Sequence, residues 1–366
     1  MAEDSPQNEK EDVEGLESPD ELGWGDYPID TVLIRPEIRT VFDIVRRMGS
    51  GMFVMDPEFQ RDFIWDESKQ SKLIESVMMR IPIPVFYLAE DELGRLVVVD
   101  GLQRLSTFRR FMENELKLRL NDRPELNGKK FKDLSPKLQN RVEDCNLALY
   151  VIDSKVPDRA RLDIFERVNG GVPLTRQQMR NCLYMGPATL FLKQEAATQL
   201  FREATGGSLR SKTMRDREFV NRFCAFQINT VQEYREMDDF LALALRKMNR
   251  FSRLDLERLS SELRRGLENN YTLFGEHAFR KHVGPRERRS VLNASLWDVM
   301  STGLSRYPMA EVLCHADAIR AGFYELMTNS EFIDAITFSP NTARKVRHRF
   351  EAAGKMIDGA ITAKSN

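Results

Sequence analysis

Short apolar runs alternate with helically spaced apolar residues through the first half of the chain. The runs are rich in β-favouring residues, and they predict strands at 52–55, 85–89, 96–99 and 147–152. A polar turn ending in Gly94 separates the second run from the third, which predicts a β-hairpin. Between the runs the spacing predicts helices, one of which is capped by Asp66 and another of which begins at Pro157.

The second half of the chain carries almost only helical periodicity. It predicts helices at 176–184, 219–226, 237–248 and 254–267, with no convincing strand and no internal repeat after Leu174. The residues before about Asp26 are acidic and rich in Ser, Pro and Gly, which is typical of disorder. The pattern therefore predicts the α+β class, with a disordered acidic tail at 1–35, a small core at 36–170 and a helical domain at 171–366.

Composition narrows the class of protein only a little. Among 366 residues, 42% are hydrophobic, and 55 basic side chains balance 56 acidic ones, so an argument for nucleic acid must rest on local patches. The cysteines show no metal-ligand spacing and suit a reducing compartment. No apolar run approaches the roughly 20 residues of a membrane span, and no secretory signal opens the chain. We therefore expect a cytoplasmic protein with no membrane contact.

The most informative stretch is Val97–Thr107, where an apolar strand runs directly into Asp100-Gly101 and then a helix. The first N–H groups of a helix carry partial positive charge, so this turn suits an anion such as phosphate, and Gly101 allows close approach. Arg104 can grip phosphate oxygens, and Gln103 can orient a water or contact a polar edge. Asp100 can bind Mg²⁺, hold an arginine in place, or cap the helix of an ordinary strand-to-helix turn.

Two further clusters suggest contact with a nucleotide. In Phe59–Trp65, Gln60 and Arg61 lie between aromatic residues, a combination that supports base stacking plus phosphate contact. Two core aromatic residues around a solvated arginine would give the same pattern. In Phe165–Leu174, a glycine-rich helix end carries Asn169, which can contact a base or a hydroxyl, and a plain helix C-cap is the alternative interpretation.

Several familiar sites are absent from the sequence. There is no Walker-type phosphate loop and no zinc-type spacing of Cys and His, so no metal site is predicted. The histidines are isolated, and none falls in the predicted core, which argues against a His-based nuclease or a Ser-His-Asp hydrolase. We expect His282 to lie at the surface, within the basic run 280–282.

Taken in order, the three clusters resemble the N-terminal domain family of GmrSD-type (type IV) restriction enzymes. That family's pattern is Gln-Arg-x-x-x-Trp, a long helix, a Pro-rich approach to a strand, and then Asp-Gly-Gln-Gln-Arg. The corresponding residues here are Gln60–Trp65, Pro82-x-Pro84 and Asp100–Arg104. The resemblance covers about residues 40–185, and Arg215–Val220 is compatible with it.

The resemblance implies a fold similar to the ParB/sulfiredoxin type, with a mixed-sheet core that binds or hydrolyses a nucleoside triphosphate together with Mg²⁺. Asp100, Gln103 and Arg104 would then be the catalytic residues, with Gln103 and Arg104 on the phosphates. The nucleotide-binding residues would be Gln60, Arg61, Gly101, Ser106, Thr107 and Asn169. Relatives of this kind act in bacterial defence against phage, where some sense modified DNA.

Two departures from the family pattern change what is expected. Leu102 stands where the family has its leading Gln, and a leucine side chain neither donates a hydrogen bond nor positions water, so hydrolysis would be weakened. The chain also carries no His-rich nuclease motif. We therefore expect a nucleotide-binding sensor of an anti-phage restriction system, with or without NTP hydrolysis, that acts on DNA through a separate nuclease or effector protein.

Two alternatives remain open. A non-enzymatic DNA-binding or scaffolding protein would use basic helical patches, whose phosphate contacts make affinity salt-dependent, although solvated helix faces give the same charge pattern. Its predicted DNA contacts are Arg215, Arg217, Arg280, Lys281, Arg288, Arg289, Lys345 and Arg347. A phosphotransferase similar to sulfiredoxin-like kinases is the other alternative, although no base that would activate a nucleophile is evident. The sensor and DNA-binding roles are compatible, and the chain leaves room for a homo-oligomer.

Overall fold

The computed structural model of the chain describes residues 13–16, 33–55, 65–168 and 174–362. Within these ranges the strands are β1 (Val13–Glu14), β2 (Ile34–Thr40), β3 (Phe53–Val54), β4 (Phe86–Glu90), β5 (Leu96–Asp100), β6 (Asn146–Ile152) and β7 (Leu292–Asn293). The first helices are α1 (Val41–Gly49), α2 (Glu67–Met78), α3 (Leu102–Met112), α4 (Pro136–Glu143) and α5 (Asp158–Val168). Short 3₁₀ helices lie at Phe131–Asp133, Val231–Glu233 and Gly275–His277.

The remaining helices follow one another with β7 as the single strand among them in the described residues. They are α6 (Arg176–Leu183), α7 (Pro187–Ala196), α8 (Gln199–Thr205), α9 (Arg215–Ile228), α10 (Met237–Met248), α11 (Arg253–Phe274), α12 (Ala294–Ser305), α13 (Met309–Cys314), α14 (Ala316–Thr328), α15 (Ser330–Thr337) and α16 (Ala343–Thr362). A mixed sheet with helices followed by a mostly helical region confirms the predicted α+β class.

The chain divides into two compact units. One, called here the sheet unit, contains residues 25–174, and the other, the helical unit, contains residues 1–24 together with 175–366. In the sheet unit, five strands run in the order β2-β6-β4-β5-β3. Strands β4 and β5 pair antiparallel, which confirms the predicted hairpin, while β4 is parallel to β6 and β5 is parallel to β3. This arrangement places the end of β5, where Asp100 lies, beside the start of β4.

One apolar core holds the sheet unit together. Ile44 of α1, Ile74 of α2, Phe108 of α3 and Leu149 of β6 belong to it, and each is at most 1% exposed. Burying a large apolar side chain contributes about 1.5–3 kcal/mol, so the ends of α2 and α3 are fixed by well-buried helices rather than by their loops. Asp66 caps α2 by accepting from the Lys69 N–H at 2.7 Å, as its position in the sequence predicts.

Strand β2 has no counterpart among the predicted elements. Its sequence Ile-Arg-Pro-Glu-Ile-Arg-Thr alternates apolar and charged residues, yet the strand lies at the edge of the sheet and its Ile38 is 75% exposed. Strand β2 pairs along its whole length with β6, from Ile34 opposite Ile152 to Thr40 opposite Asn146. An edge strand with a charged, half-exposed face lacks the apolar run that predicts a strand, although such charges are what edge strands commonly carry.

The helical unit is built around α12. The Trp297 side chain on this helix is fully buried, and its ring contacts Phe201, Phe219 and Phe279. Its indole N–H donates to the Phe219 carbonyl oxygen at 2.8 Å, which satisfies the polar atom of a buried tryptophan. This unit therefore has a core of its own, separate from the core of the sheet unit.

The structure differs from the predicted disordered tail at residues 13–16. Val13 and Glu14 form β1, which pairs parallel with Leu292 and Asn293 of β7. The carboxylate of Glu14 accepts from the Lys281 ammonium at 2.6 Å and from the Asn293 side-chain amide at 3.1 Å. Both polar contacts and backbone pairing thus order these residues, although the segment carries little apolar surface.

In the described part of the chain, no helix has the length and apolar character needed to cross a membrane.

Candidate functional site at the Asp-Gly turn

Strand β5 ends at Asp100, and α3 begins two residues later at Leu102. Gly101 joins them with a left-handed backbone, φ +100°, that side chains rarely tolerate. A Cβ at this position would lie 2.3 Å from Cδ1 of Phe86, so a glycine is required both for conformation and for space. The turn is therefore closed and sharply defined, as the predicted strand-to-helix junction demands.

The N-terminus of α3 has no side-chain cap. Gly101 is the N-cap residue and offers no side chain, and Asp100 makes no capping bond in its place. Asp100 therefore does not cap this helix, which removes one of the three roles that the sequence left open. The first N–H groups of a helix lie outside its own hydrogen-bond ladder and carry partial positive charge, so this end favours an anion.

Arg104 connects the turn to the segment before β4 through hydrogen bonds. Its Nη2 donates to a carboxylate oxygen of Asp100 at 2.7 Å and to the Val85 carbonyl oxygen at 3.1 Å, and its Nη1 donates to the Pro84 carbonyl oxygen. The guanidinium also lies over the Phe86 ring, with 4.3 Å between Cζ and the ring centroid. Asp100 thus holds an arginine in place, which is the second role that the sequence left open.

The environment of Arg104 explains its electrostatics. The side chain is 12% exposed, and this burial lowers the pKa of Arg104 below its ordinary value, while the neighbouring Asp100 carboxylate works in the opposite direction. An arginine keeps its charge in proteins even so, and the Asp100 carboxylate balances it. Asp100 itself is 37% exposed and faces water on one side, so its pair with Arg104 is part buried and part solvated.

Gln103 contacts Trp65, the last residue of the Gln60–Trp65 motif. Its side-chain oxygen accepts from the Trp65 backbone N–H at 3.4 Å, a long bond. The Trp65 carbonyl oxygen in turn accepts from the buried side chain of Gln70, whose oxygen is bonded by Arg110 at 2.7 Å. Trp65 is the described member of the Gln-Arg-x-x-x-Trp motif, and its backbone N–H lies beside the Gln103 side chain. A pocket shared by the two motifs stays a prediction.

Two predicted nucleotide contacts are turned inward. Thr107 is fully buried and its hydroxyl donates to the Gln103 carbonyl oxygen at 2.7 Å. Ser106 is 4% exposed, and its hydroxyl has no partner among the described residues. Both residues follow the first turn of α3, where the helix turns their side chains into the core. The structure is thus at odds with direct contact between either hydroxyl and a ligand in solvent.

The remaining predicted nucleotide contacts are Gln60, Arg61 and Asn169, and all three lie outside the described residues. Of the third motif, Phe165–Leu174, the structure describes Phe165–Val168 and Leu174. Phe165 is fully buried on α5, and α5 packs against β5, the strand that leads to the turn. The third motif therefore begins on a helix that contacts the strand carrying Asp100.

The comparison with protein families concerns this part of the chain. Residues 41–185 match the family described as the GmrSD restriction endonuclease N-terminal domain. This segment carries a GmrSD N-terminal domain. No curated protein and no solved structure matched the chain. The match confirms, over residues 41–185, the resemblance that the three motifs indicate.

The GmrSD N-terminal domain contains the whole Asp-Gly turn, together with every residue that Arg104 contacts. It extends past the sheet unit, which ends at residue 174, and includes α6. The partners of Arg104 at Pro84, Val85 and Phe86 were not assigned a role from the sequence. The Pro82-x-Pro84 spacing was the signal that could have located them, because it marks the segment immediately before β4.

Burial corrects part of the predicted DNA surface of the helical unit. Arg280 is 3% exposed and donates to carbonyl oxygens of Ser290 and Thr205, so it is a structural residue. Arg217 is 9% exposed on the buried side of α9. His282, expected at the surface, is 3% exposed and packs its ring against Phe274 and Phe323. Basic residues that are adjacent in the sequence therefore do not form one continuous exposed surface.

The other predicted DNA contacts differ in how far they are engaged. Lys281 is bonded to Glu14 and Thr337, Arg215 to Glu218, and Lys345 to Asp334. Exposed side chains remain at Arg288, Arg289 and Arg347, of which Arg289 donates to the Gly206 carbonyl oxygen at 3.0 Å. The described residues contain no group of three or more His, Cys, Asp or Glu side chains that could hold a metal ion.

Proposed function

We propose that the GmrSD N-terminal domain binds a nucleoside triphosphate at Asp100–Arg104 and acts as the nucleotide-dependent sensor of an anti-phage restriction system. The observation that carries this proposal is the uncapped N-terminus of α3 behind Gly101. Such an end attracts phosphate, and the absence of a Cβ at Gly101 lets the phosphate come close to the backbone.

The residues of the turn divide the work between them. Backbone N–H groups at the start of α3 would bind the phosphate, and the Gln103 side chain would contact it or a water. Arg104 is a positioning residue, because its guanidinium holds Asp100 and the carbonyl oxygens of Pro84 and Val85. Loss of Arg104 would therefore release the segment that leads into β4 as well as remove a charge from the turn.

Hydrolysis is expected to be slow or absent. Leu102 occupies the first position of α3, and its side chain offers neither a donor nor an acceptor for water. Asp100 is the carboxylate closest in sequence to the phosphate position, and it fits a magnesium ion bound mainly through phosphate oxygens and water. That ion would neutralise phosphate charge, while Asp100 shares its oxygens with Arg104 in this structure.

Binding and phosphate release measured on the same samples test the proposal. The full chain is incubated with each of the four ribonucleoside triphosphates and Mg²⁺, with and without DNA. We expect binding of at least one nucleotide and at least a tenfold loss in Arg104→Ala. Arg109→Ala is the matched control on the same helix, because among the described residues the ion pair of Arg109 is a long one, 3.9 Å from Glu113. Equal binding by the wild type and Arg104→Ala would refute the assignment of the site.

Leu102→Gln separates binding from turnover. This change restores the side chain of the family's pattern, and we expect it to raise phosphate release without raising affinity by a comparable factor. An unchanged rate would show that Leu102 is not what limits hydrolysis. If DNA changes the rate or the affinity, the nucleotide site is coupled to DNA, as a sensor requires.

A second candidate is DNA binding by the loop before β7. Arg286 and Arg288 are exposed there, and neither forms an ion pair with a carboxylate among the described residues. Binding through these side chains would weaken steeply with salt and would not depend on nucleotide. Replacing both by Gln should lower the salt dependence of DNA affinity by about two charges if this loop contacts phosphates.

A further inference from the structure

A concave site lies in the sheet unit at the C-terminal end of α2. It is a cleft of about 540 Å³ between the end of α2, the segment after it, α4 and the start of β6. Trp65, just before α2, contacts Gln103, whereas Arg80, just after α2, lines the cleft. The lining shares no residue with the Asp-Gly turn, although its Ile83 directly precedes Pro84, whose carbonyl oxygen accepts from Arg104.

Arg80 has an unusual backbone for an arginine. The end of α2 is a Schellman motif, in which the Ile81 N–H donates to the Ser76 carbonyl oxygen and the Arg80 N–H to that of Val77, each at 2.9 Å. Arg80 occupies the left-handed position of this motif, with φ +62°, where glycine is the common residue. Arg80 thus occupies a backbone position that disfavours a side chain, and it lines the cleft.

The other cations come from α4. Lys137 and Arg141 line the cleft one helical turn apart, and Asp144 is the only acidic residue among the lining side chains. Arg141 donates from Nη1 to the Met78 carbonyl oxygen at 3.0 Å, and its Nε is buried without a hydrogen-bond partner in the described residues. Three cations therefore line the cleft against one carboxylate.

Two cations of the cleft lack the carboxylate partner that several arginines of the sheet unit have. Arg95 pairs with Asp91 at 2.7 Å and Arg123 with Glu75 at 3.0 Å. Among the described residues, neither Arg80 nor Lys137 has a carboxylate oxygen within the 4 Å of an ion pair. The cleft therefore concentrates positive charge that the protein itself leaves unbalanced.

The lining also contains groups for the rest of a ligand. Ile81, Pro82 and Ile83 form an apolar wall, and Ile81 is 47% exposed. Asn140 and Asn146 offer side-chain amides that can donate and accept. An apolar wall, two amides and three cations suit a ligand with a phosphate group and a flat heterocyclic body, and a volume of this size is typical of small-molecule sites.

We propose that this cleft binds a nucleotide unit through its phosphate, with Arg80, Lys137 and Arg141 on the phosphate and the Ile81–Ile83 wall against the base or sugar. The nucleotide unit is either a free mononucleotide or one residue of a DNA strand. The site does not depend on nucleoside triphosphate binding at the Asp-Gly turn. Occupancy by DNA would give the domain a direct contact with the substrate of restriction.

The test uses the full chain and two probes, deoxyadenosine monophosphate by calorimetry and a fluorescent twelve-nucleotide single strand by anisotropy. The variant Arg80→Gly/Lys137→Gln removes two cleft cations, and we expect it to weaken binding of at least one probe tenfold or more. Lys132→Gln is the control, because Lys132 is exposed in the neighbouring 3₁₀ helix and does not line the cleft. That control should bind as the wild type does.

The outcomes separate the two sources of the nucleotide. Saturable binding of the monophosphate, lost in the double variant, identifies a free nucleotide. Binding of the strand alone, with a salt slope that falls by about one for each cation removed, identifies DNA. Binding of both probes that is unchanged in the double variant overturns the proposal, and so does a wild-type protein that binds neither probe.

Arg80→Gly also guards against a misleading loss of fold. Glycine favours the left-handed position, so this variant should melt at the same temperature as the wild type or higher. Weaker probe binding in a protein that is not less stable cannot come from unfolding. Because the triphosphate site is judged by Arg104→Ala and the cleft by Arg80→Gly/Lys137→Gln, either assignment can fail while the other stands.

Discussion

The Arg104 guanidinium contacts the segment that leads into β4 as well as the Asp100 carboxylate. Its spacing from Asp100 was visible in the sequence, and the two side chains do pair at 2.7 Å. The carbonyl oxygens of Pro84 and Val85 lie 20 and 19 residues upstream, and they reach Arg104 only because β4 and β5 pair. Local sequence thus predicted the turn and its residue types. The contacts of Arg104 with the start of the hairpin could be identified only from the folded structure.

Gly101 allows the geometry of the turn to be tested directly. Gly101→Ala places a Cβ in a left-handed position and 2.3 Å from the Phe86 ring. The conformational cost is about 1 kcal/mol and the steric conflict adds a cost of similar size or larger, so we expect a loss of about 3 kcal/mol in the free energy of unfolding. Urea unfolding measures it, and nucleotide binding should fall in the same variant.

Gly51→Ala is the matched control for Gly101→Ala. Gly51 also has a left-handed backbone, φ +75°, but no atom lies within 4 Å of the position that its Cβ would take. Its replacement should cost about 1 kcal/mol, which is the conformational part alone. If the two variants lose the same stability, Phe86 is not packed against the turn as described.

At the scale of elements, strands with a buried apolar run were predicted from the sequence, whereas a strand with charged residues at alternate positions was not. The β4–β5 hairpin has a buried apolar run on each side of a polar turn, and it was predicted and confirmed. Strand β2 carries Arg35, Glu37 and Arg39, which pair with one another and with neighbouring acids. Its stability comes from backbone pairing with β6 and from this surface network, neither of which leaves an apolar run in the sequence.

The network beside β2 predicts a pH dependence of stability. Partial burial opposes the shift, but hydrogen bonds from Arg46, Arg39 and Arg47 hold the pKa of Asp43 at about 2, below its ordinary value. The stabilising contribution of the carboxylate is therefore complete above about pH 4 and is lost as the pH falls toward 2. Asp43→Asn should be less stable than the wild type at pH 6, and the difference should shrink toward zero near pH 2.

Urea midpoints of the wild type and Asp43→Asn, collected between pH 2 and pH 7, check this expectation. High salt should reduce the difference at neutral pH, because the arginine side chains are 22–60% exposed and their attraction is screened. A difference that stays constant across this pH range would mean that the carboxylate charge of Asp43 does not stabilise α1.

Asp298 joins three helices of the helical unit through buried charge. Its carboxylate accepts from Arg222 of α9 at 2.8 and 2.7 Å and from Arg349 of α16 at 2.8 Å, and all three side chains are at most 1% exposed. Asp298→Asn removes the carboxylate charge that both buried arginines bond, and we expect a loss of about 3–5 kcal/mol in unfolding free energy.

Asp358→Asn serves as the comparison for Asp298→Asn. Asp358 also accepts from an arginine, Arg306 at 2.9 Å, but both side chains are about half exposed. An exposed pair contributes about 0–1 kcal/mol, so thermal or urea unfolding should change little. Comparable losses in the two variants would show that burial does not set the strength of the Asp298 network.

At the scale of the whole molecule, the chain leaves the helical unit and returns to it. Residues 1–24 belong with residues 175–366, and the sheet unit occupies the sequence between them. No local pattern predicts this arrangement, because the two-residue strands β1 and β7 are too short to show periodicity, and Glu14 and Asn293 are 279 residues apart. Such distant pairing is set by the tertiary fold and not by local propensity.

Removing residues 1–16 tests whether β1 is part of the helical unit. The deletion takes away the pairing with β7 and both Glu14 contacts, so the segment 280–293 should open more easily, by about 1 kcal/mol for each net hydrogen bond lost. Hydrogen exchange read by mass spectrometry should then be faster in 280–293 and unchanged in 96–112 of the sheet unit. Glu14→Gln, which keeps the strand but removes the charge, should show a smaller effect in the same segment. Equal exchange in 280–293 before and after the deletion would mean that β1 lends this unit no stability, and faster exchange in both segments would mean that the N-terminal residues support the sheet unit as well.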